Sequence, residues 1–278
     1  MRVLKSWRRF VPVYLLLCLT LGLAVLPGCA RDNDEAAGSI TIAGSTSVQP
    51  FAEMLAEEYA RRYPDRPPVN VQGGGSSAGA RAALSGTAHI GMMSREPAES
   101  EKELVPTVIA VDALALIVHR DNKVVDLTKD QIKDIFSGRI TDWGELGGTP
   151  GAIHVISREE GSGTRDAFDG LIMEGDDVLA RAIVQDSNGA VRETVARDPR
   201  AIGYVSLGLV DDRVRAVTVD GARASVTSVQ RGEYTLVRPF LFVVKGDYTP
   251  EAKEFLDFVL SEEGQRILAE EGLVTEQR

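Results

Sequence analysis

Ser157-Arg158-Glu159-Glu160-Gly161-Ser162-Gly163-Thr164-Arg165 closes the apolar β-type run over residues 153–157 and opens a stretch with Ala167, Phe168, Leu171 and Ile172 on one helical side. A glycine- and hydroxyl-rich turn between strand and helix puts Ser and Thr hydroxyls beside backbone N–H groups that have no intrahelical acceptor, at the end where the helix dipole favours negative charge. The same arrangement occurs twice more. Gly44-Ser45-Thr46-Ser47 follows a β-type run over 39–43, and Gly73-Gly74-Gly75-Ser76-Ser77 follows Val69-Asn70-Val71. One such loop is common; three point to a receptor for a small oxyanion.

Outward from these loops the pattern alternates. A helical spacing runs from Val48 through Phe51, Leu55 and Tyr59, with Pro50 acceptable in a first turn, and an Ala-rich helix is expected over 78–84. Residues 89–93 return as a strand. Residues 108–118 form a long apolar run broken only by Asp112, suited to a strand buried on both faces. Further helices are expected over 128–136, 190–196, 250–260 and 262–271, and strands over 201–206, 214–219 and 236–244, the last interrupted by Arg238-Pro239. Such alternation implies an α/β fold with a mainly parallel sheet.

The amino-terminal stretch reads as an export signal. Arg2, Lys5, Arg8 and Arg9 precede an apolar run over 10–26 that ends at Leu26-Pro27-Gly28-Cys29, and nothing acidic occurs before Cys29. This ending resembles a bacterial lipobox, which implies a signal peptide over 1–28, lipidation at Cys29 and a polar, flexible linker over 29–38. The competing reading is an uncleaved anchor helix; on either reading the folded part is exported and tethered, outside the cell membrane or in the periplasm. Of the two cysteines, Cys18 lies in the segment to be removed and Cys29 is the lipid site, so no pair is left for a disulfide.

Without the four basic residues of the signal, 27 basic residues face 41 acidic ones, a formal charge of about −14. That balance argues against nucleic acid or an anionic membrane surface as partner, because both need a basic face. An anion must then be held by local dipoles and one or two placed cations, against the overall field.

Read together, 157–165, Ala43-Gly44-Ser45-Thr46-Ser47-Val48, Gly73-Gly74-Gly75-Ser76-Ser77-Ala78-Gly79 and Ile202-Gly203-Tyr204 strongly resemble the substrate-binding lipoproteins of phosphate ABC transporters. Asp142-Trp143, Arg238-Pro239-Phe240 and Ser261-Glu262-Glu263-Gly264-Gln265 fit the same family, and the resemblance spans about residues 40–274. It implies a type II periplasmic-binding-protein fold: two α/β lobes joined by two crossing strands, with phosphate in the cleft. The runs 114–118 and 234–240 are the expected crossings. Lobe 1 is then discontinuous, 39–115 plus 237–278, and lobe 2 is 116–236. The implied partners are inorganic phosphate, the transmembrane permease subunits and the membrane through the lipid anchor; the implied state is a monomer without cofactor or metal.

The chemistry of the ligand agrees. Phosphate at neutral pH mixes mono- and dianion, so its site needs many donors and an acceptor for the remaining proton, and neutral N–H and O–H groups spread the charge with little desolvation cost. Ser45, Thr46 and Ser47 supply one donor cluster, with Thr46 at the family's contact position; Ser76 and Ser77 supply a second; Ser162, Gly163 and Thr164 a third. Arg158 is the expected full cation, since a guanidinium pairs two oxygens in a fixed fork, whereas Arg165 is expected on solvent or in a salt bridge of the new helix. At Ser94-Arg95-Glu96 the chain departs from better-known members, which have Ser-Asp, the aspartate accepting the phosphate proton and so rejecting sulfate. Ser94 and Arg95 are both counted among the expected phosphate-binding residues, but Arg95 cannot accept a hydrogen bond. Two readings of Asp112 therefore stand open, a substitute proton acceptor or a structural partner of Arg95, and a third is that discrimination is weaker here.

Other functions compete. Gly75-Ser76-Ser77-Ala78-Gly79 matches the nucleophile elbow of a serine esterase, and His119 and His154 follow in the right chain order. No Gly-Lys-Ser/Thr follows the glycines, so a Walker A loop is absent, and three scattered histidines make a zinc site a poor fit. A receptor for sulfate or molybdate, and a phosphate sensor or adhesin not coupled to transport, are the nearer alternatives.

Overall fold

The structure is a computed structural model that describes residues 38–275. The signal over 1–28, Cys29 and nearly all of the linker lie outside the described residues.

Strand β1 (Ile40–Gly44) leads through a turn into helix α1 (Gln49–Arg62), β2 (Val69–Gly73) into α2 (Ser76–Ser85), and β3 (Ile90–Met93) into the long β4 (Leu104–His119). Then come β5 (Asp126–Leu127), α3 (Lys129–Ser137), β6 (His154–Arg158), α4 (Gly163–Phe168), β7 (Ile183–Gln185), α5 (Asn188–Arg197), β8 (Ala201–Ser206), β9 (Val214–Ala216), β10 (Thr218–Val219) and α6 (Val226–Gln230). Strand β11 (Val237–Lys245) and helices α7 (Pro250–Val259) and α8 (Glu262–Glu270) finish the described chain.

One sheet runs through both halves in the order β2-β1-β3-β11-β4-β8-β6-β7, with β9 on the outer part of β4. Strands β1, β2 and β3 pair in parallel, as do β6, β7 and β8, so each half holds its own βαβ unit. The expectation of a mainly parallel sheet fails at β4 and β11, which pair antiparallel with each other and with their neighbours β8 and β3. The chain leaves the first half along β4 and returns along β11, and an outgoing and a returning strand laid side by side cannot be parallel.

Strand β4 exchanges its partner β11 for β8 between Ala113 and Leu114. The crossing therefore sits just before the expected run 114–118, whose residues are all buried within the second half. It also starts earlier than the apolar run suggested. Residues 104–108 pair with β11 although Val105 and Val108 are exposed and Pro106 has no N–H to give. Likewise Arg238-Pro239 does not interrupt β11: β3 pairs only with residues 241–243, so at Pro239 there is no ladder on that side to break, and the register shift follows at Phe240/Leu241. The run 214–219 is two strands, because Val217 bonds back to Leu116 while Thr218 turns to β5.

Two apolar cores flank the crossing. One gathers Phe51, Leu55, Tyr59, Phe240, Phe242, Phe255 and Leu268; the other gathers Phe136, Trp143, Ile156, Phe168, Val191 and Tyr204. Phe255 meets Tyr59 edge-on at 5.3 Å, and Phe168 stacks on Tyr204 at 4.2 Å; such aromatic pairs add about 0.5–1.5 kcal/mol beyond area burial. Helix α2 lies directly on the strands at Gly79, where a Cβ would come within 2.7 Å of the carbonyls of Ala43 and Met92. That close approach aims the start of α2 at the crossing.

Candidate functional site

The three glycine-hydroxyl loops converge. The turn over 45–48 enters α1, Gly75 caps α2, and Ser162 caps α4 by accepting from the Arg165 N–H. A fourth helix start joins them at Asn188, the first residue of α5. Ser47 Oγ lies 2.7 Å from Thr164 Oγ1, and Asn188 Nδ2 donates to Ser47 Oγ at 2.8 Å and to Thr164 Oγ1 and Thr46 Oγ1 at 3.3 Å. Ser45 Oγ donates to Ser94 Oγ at 3.0 Å, and the Ser94 N–H donates to Ser76 Oγ at 3.1 Å. Gly163 packs so closely on α2 that a Cβ there would sit 2.1 Å from Ser76 Oγ and 2.7 Å from Ser94 Oγ. Ser45, Ser47, Ser76, Ser94, Ser162, Thr164 and Asn188 are all buried, while Thr46 and Ser77 are half-buried.

Two guanidinium groups bracket this cluster. Arg158, expected from its motif, is 1% exposed at the end of β6. Tyr204 sets that strand end, its hydroxyl 2.9 Å from Ser157 Oγ and accepting from the Arg158 N–H, and burial pushes the phenol up to about 12. From Arg158, Nε and Nη2 donate to the two carboxylate oxygens of Glu159 at 2.8 Å, Nη2 also to Thr46 Oγ1 at 3.2 Å, and Nη1 reaches Thr164 Oγ1 at 3.5 Å.

The second cation is Arg238, which lies outside the three glycine-hydroxyl loops in sequence. It stands directly across from Asp112 in the β4–β11 register, with Nε and Nη2 both 2.9 Å from Asp112 Oδ2. Its Nη2 also donates to Ser47 Oγ at 2.9 Å and its Nη1 reaches Ser94 Oγ at 3.4 Å. Ser206 Oγ donates to the other oxygen of Asp112 at 2.7 Å. Burial pushes the Asp112 carboxyl up and the Arg238 guanidinium down, and each charge pulls its partner back toward the ionised form. Asp112 thus pairs with Arg238, not with Arg95. The signal was legible: an arginine in one apolar run and an aspartate in another each need a counter-charge, and they are each other's.

Arg95, expected among the phosphate-binding residues, is spent elsewhere. Its five N–H donors go to five acceptors: Nε to Asp166 Oδ2 at 2.7 Å, Nη1 to Glu96 O and Glu101 Oε2, Nη2 to Ser77 Oγ and Glu101 Oε1. A guanidinium has no further proton to offer, so Arg95 stands beside the cluster without a donor for an anion. Ser77 is turned the same way: its N–H donates to Gly161 O at 3.1 Å and its hydroxyl accepts from Arg95. Arg165 makes the expected helical salt bridge, to Asp169 at 3.3 Å, and also bonds Arg158 O. Neither histidine serves Ser77: His154 Nδ1 lies 2.6 Å from Asp198, and His119 Nδ1 accepts from the Asp121 N–H.

The chain matches the PBP superfamily domain over residues 30–263. It is 36% identical over 251 residues to the phosphate-binding protein PstS of Bacillus subtilis (strain 168), covering 88% of this chain and 83% of that protein. The chain belongs to the PstS family of phosphate-binding proteins. Among solved PstS-like structures, a putative phosphate ABC transporter substrate-binding protein with bound phosphate from Clostridium perfringens is 44% identical with a TM-score of 0.84. It covers 86% of this chain and 100% of its own length. An ABC-type phosphate transport receptor from Vibrio cholerae is 37% identical with a TM-score of 0.71 over 86% of this chain and 100% of its own. The fold is that of a type II periplasmic binding protein, two α/β lobes joined by β4 and β11, and the family is one of binding proteins, not of enzymes.

Proposed function

We propose that this chain captures inorganic phosphate in the cleft between its lobes and delivers it to the permease of an ABC transporter. The observation that carries the reading is the cluster of hydroxyls of Ser47, Thr164, Ser45, Ser76 and Ser94, all buried, with the half-buried Thr46 at its edge, bracketed by Arg158 and Arg238. Each guanidinium already has its own carboxylate, Glu159 or Asp112. The site is therefore rich in donors and close to neutral before the ligand arrives, as suits an oxyanion that must give up its water for protein hydrogen bonds. On each arginine, Nη1 carries one more hydrogen than it has protein acceptors among the described residues. The N–H groups of Gly163 and Thr164, at the first two positions of α4, add donors without intrahelical partners.

The phosphate contacts are assigned to Ser45, Thr46, Ser47, Ser76, Ser94, Arg158, Ser162, Gly163 and Thr164, with Arg238 and Asn188 added. Asp112 acts through Arg238, and Ser77 and Arg95 act from the rim. Among the described residues lobe 1 is 39–113 plus 237–275 and lobe 2 is 114–236, two residues earlier than the expected boundary after 115, a division supported by the partner exchange of β4 after Ala113 and by the start of β11 at Val237. The protein works as a monomer outside the cytoplasm, held to the membrane by lipid on Cys29 after removal of residues 1–28. Labelling with a radioactive fatty acid tests this anchor: C29A must lose the label.

Calorimetric titration of the purified protein with phosphate, arsenate and sulfate tests the capture. Binding of phosphate with arsenate as competitor and sulfate excluded is expected; tighter binding of sulfate or molybdate would transfer the site to another oxyanion. Loss of growth on limiting phosphate after deletion separates transport from a sensor or adhesin role.

A further inference from the structure

The Arg95 cluster is built across the cleft. Arg95 follows β3 in lobe 1, and Glu101, which grips it through both oxygens at 2.7 and 2.9 Å, lies in the same lobe. Asp166 belongs to α4 in lobe 2, and its Oδ2 accepts from Arg95 Nε at 2.7 Å. The arginine and Glu101 side chains are 13% and 12% exposed, whereas that of Asp166 is 41% exposed. The lobe-1 half is therefore the more shielded one, and the lobe-2 side chain that meets it is a single, more exposed carboxylate. Arg95 also holds the Ser77 hydroxyl, and the Ser77 N–H makes a second bond across the cleft, to Gly161 O at 3.1 Å.

We propose that Arg95 is a positioning residue that latches the closed cleft: clamped by Glu101, it draws in Asp166 and so fixes α4, whose first residues Gly163 and Thr164 face the ligand, against α2. The assignment of the ligand rests on the function proposed above, but the latch itself does not. A latch of this kind slows release without touching the oxyanion. Because the cross-cleft pair is partly exposed, its effect is modest and screened by salt.

Stopped-flow release of phosphate and the inter-lobe distance distribution of the ligand-free protein, read from paired fluorophores on residues of each lobe, test it together. D166N is expected to raise the release rate about two- to fivefold with the association rate unchanged, and to shift the ligand-free distribution toward open forms. R95M is expected to do the same, and the double variant to add nothing further. Added salt is expected to speed release from the wild type but not from D166N. Release rates and distance distributions equal to the wild type in D166N, or additive effects in the double variant, overturn the latch. A wild type that does not bind phosphate overturns the functional reading instead, and the ligand-free distances still decide the latch.

Discussion

Two of the arginine–carboxylate pairs in this molecule differ sharply in how much water they see. Arg238 and Asp112 are cross-strand neighbours at the crossing, 2% and 0% exposed, whereas Arg95 and Asp166 meet at the mouth of the cleft with Asp166 open to solvent. Their chemistry is nearly the same and their consequences are not. The buried pair cannot be left half-made, because the surviving charge has no water to return to. At the rim, a group that loses its partner is rehydrated at little cost. The inner pair thus sets the architecture of the site, with Arg238 also over the Phe240 ring at 5.4 Å, and the outer one adjusts its kinetics.

The sharpest test is to remove one inner partner. D112A leaves Arg238 uncompensated and is expected to cost about 3–5 kcal/mol of stability, read by chemical denaturation. The double variant D112A/R238M is expected to recover much of that loss; if it is less stable than D112A, the pair does not behave as one buried unit.

Removing Arg158 should act on binding rather than on folding, since its partner Glu159 is 29% exposed and can be solvated. R158M is expected to weaken phosphate binding about 10- to 100-fold, the range of a lost charge-assisted hydrogen bond worth about 1.5–3 kcal/mol. Calorimetry that finds an unchanged affinity would leave Arg238 as the only cation of the site.

Why Arg158 was readable and Arg238 was not follows from where each sits. Arg158 lies in a contiguous strand-loop-helix motif whose hydroxyls and glycines announce a purpose over nine residues. The partnership of Arg238 with Asp112 joins positions 126 residues apart, and only the β4–β11 register makes it visible, although the unpaired charge in each apolar run was a legible warning. Asn188 carried less signal, because an Asn after a Ser N-cap reads as an ordinary helix start. The elements themselves were legible because their apolar periodicities are local. Strand directions at the crossing were not, since they depend on the chain returning beside its own outgoing strand.

Closure itself can be broken with a single methyl group. G163A puts a Cβ 2.1 Å from Ser76 Oγ and 2.7 Å from Ser94 Oγ in this arrangement of the lobes, a clash with lobe-1 side chains that parting of the lobes is expected to relieve. The expected result is a phosphate affinity about tenfold weaker, at the scale of overpacking strain of about 1–3 kcal/mol, with thermal stability of the ligand-free protein unchanged. Small-angle scattering that shows the same compaction with phosphate as the wild type would mean that α4 and α2 do not approach in solution as they do here.

The smallest effect belongs to acid. Burial works to raise the Glu101 carboxyl, but the hydrogen bonds from Arg95 and from the Ala98 N–H outweigh it and hold the group below its ordinary value of 4.5. A depressed carboxyl contributes stability that is fully present above the unfolded value and is lost as pH falls through the folded one. The charges facing it are Arg95 and, more distantly, Arg81, with Asp166 on the far side of Arg95. The grip on Arg95 should therefore be intact at neutral pH and fail only below about pH 4.5. Phosphate release from the wild type and from E101Q, compared over that range, should differ at neutral pH and converge in acid. Convergence is the informative outcome, because acid also protonates the ligand in both proteins equally, and only the Glu101 charge distinguishes them.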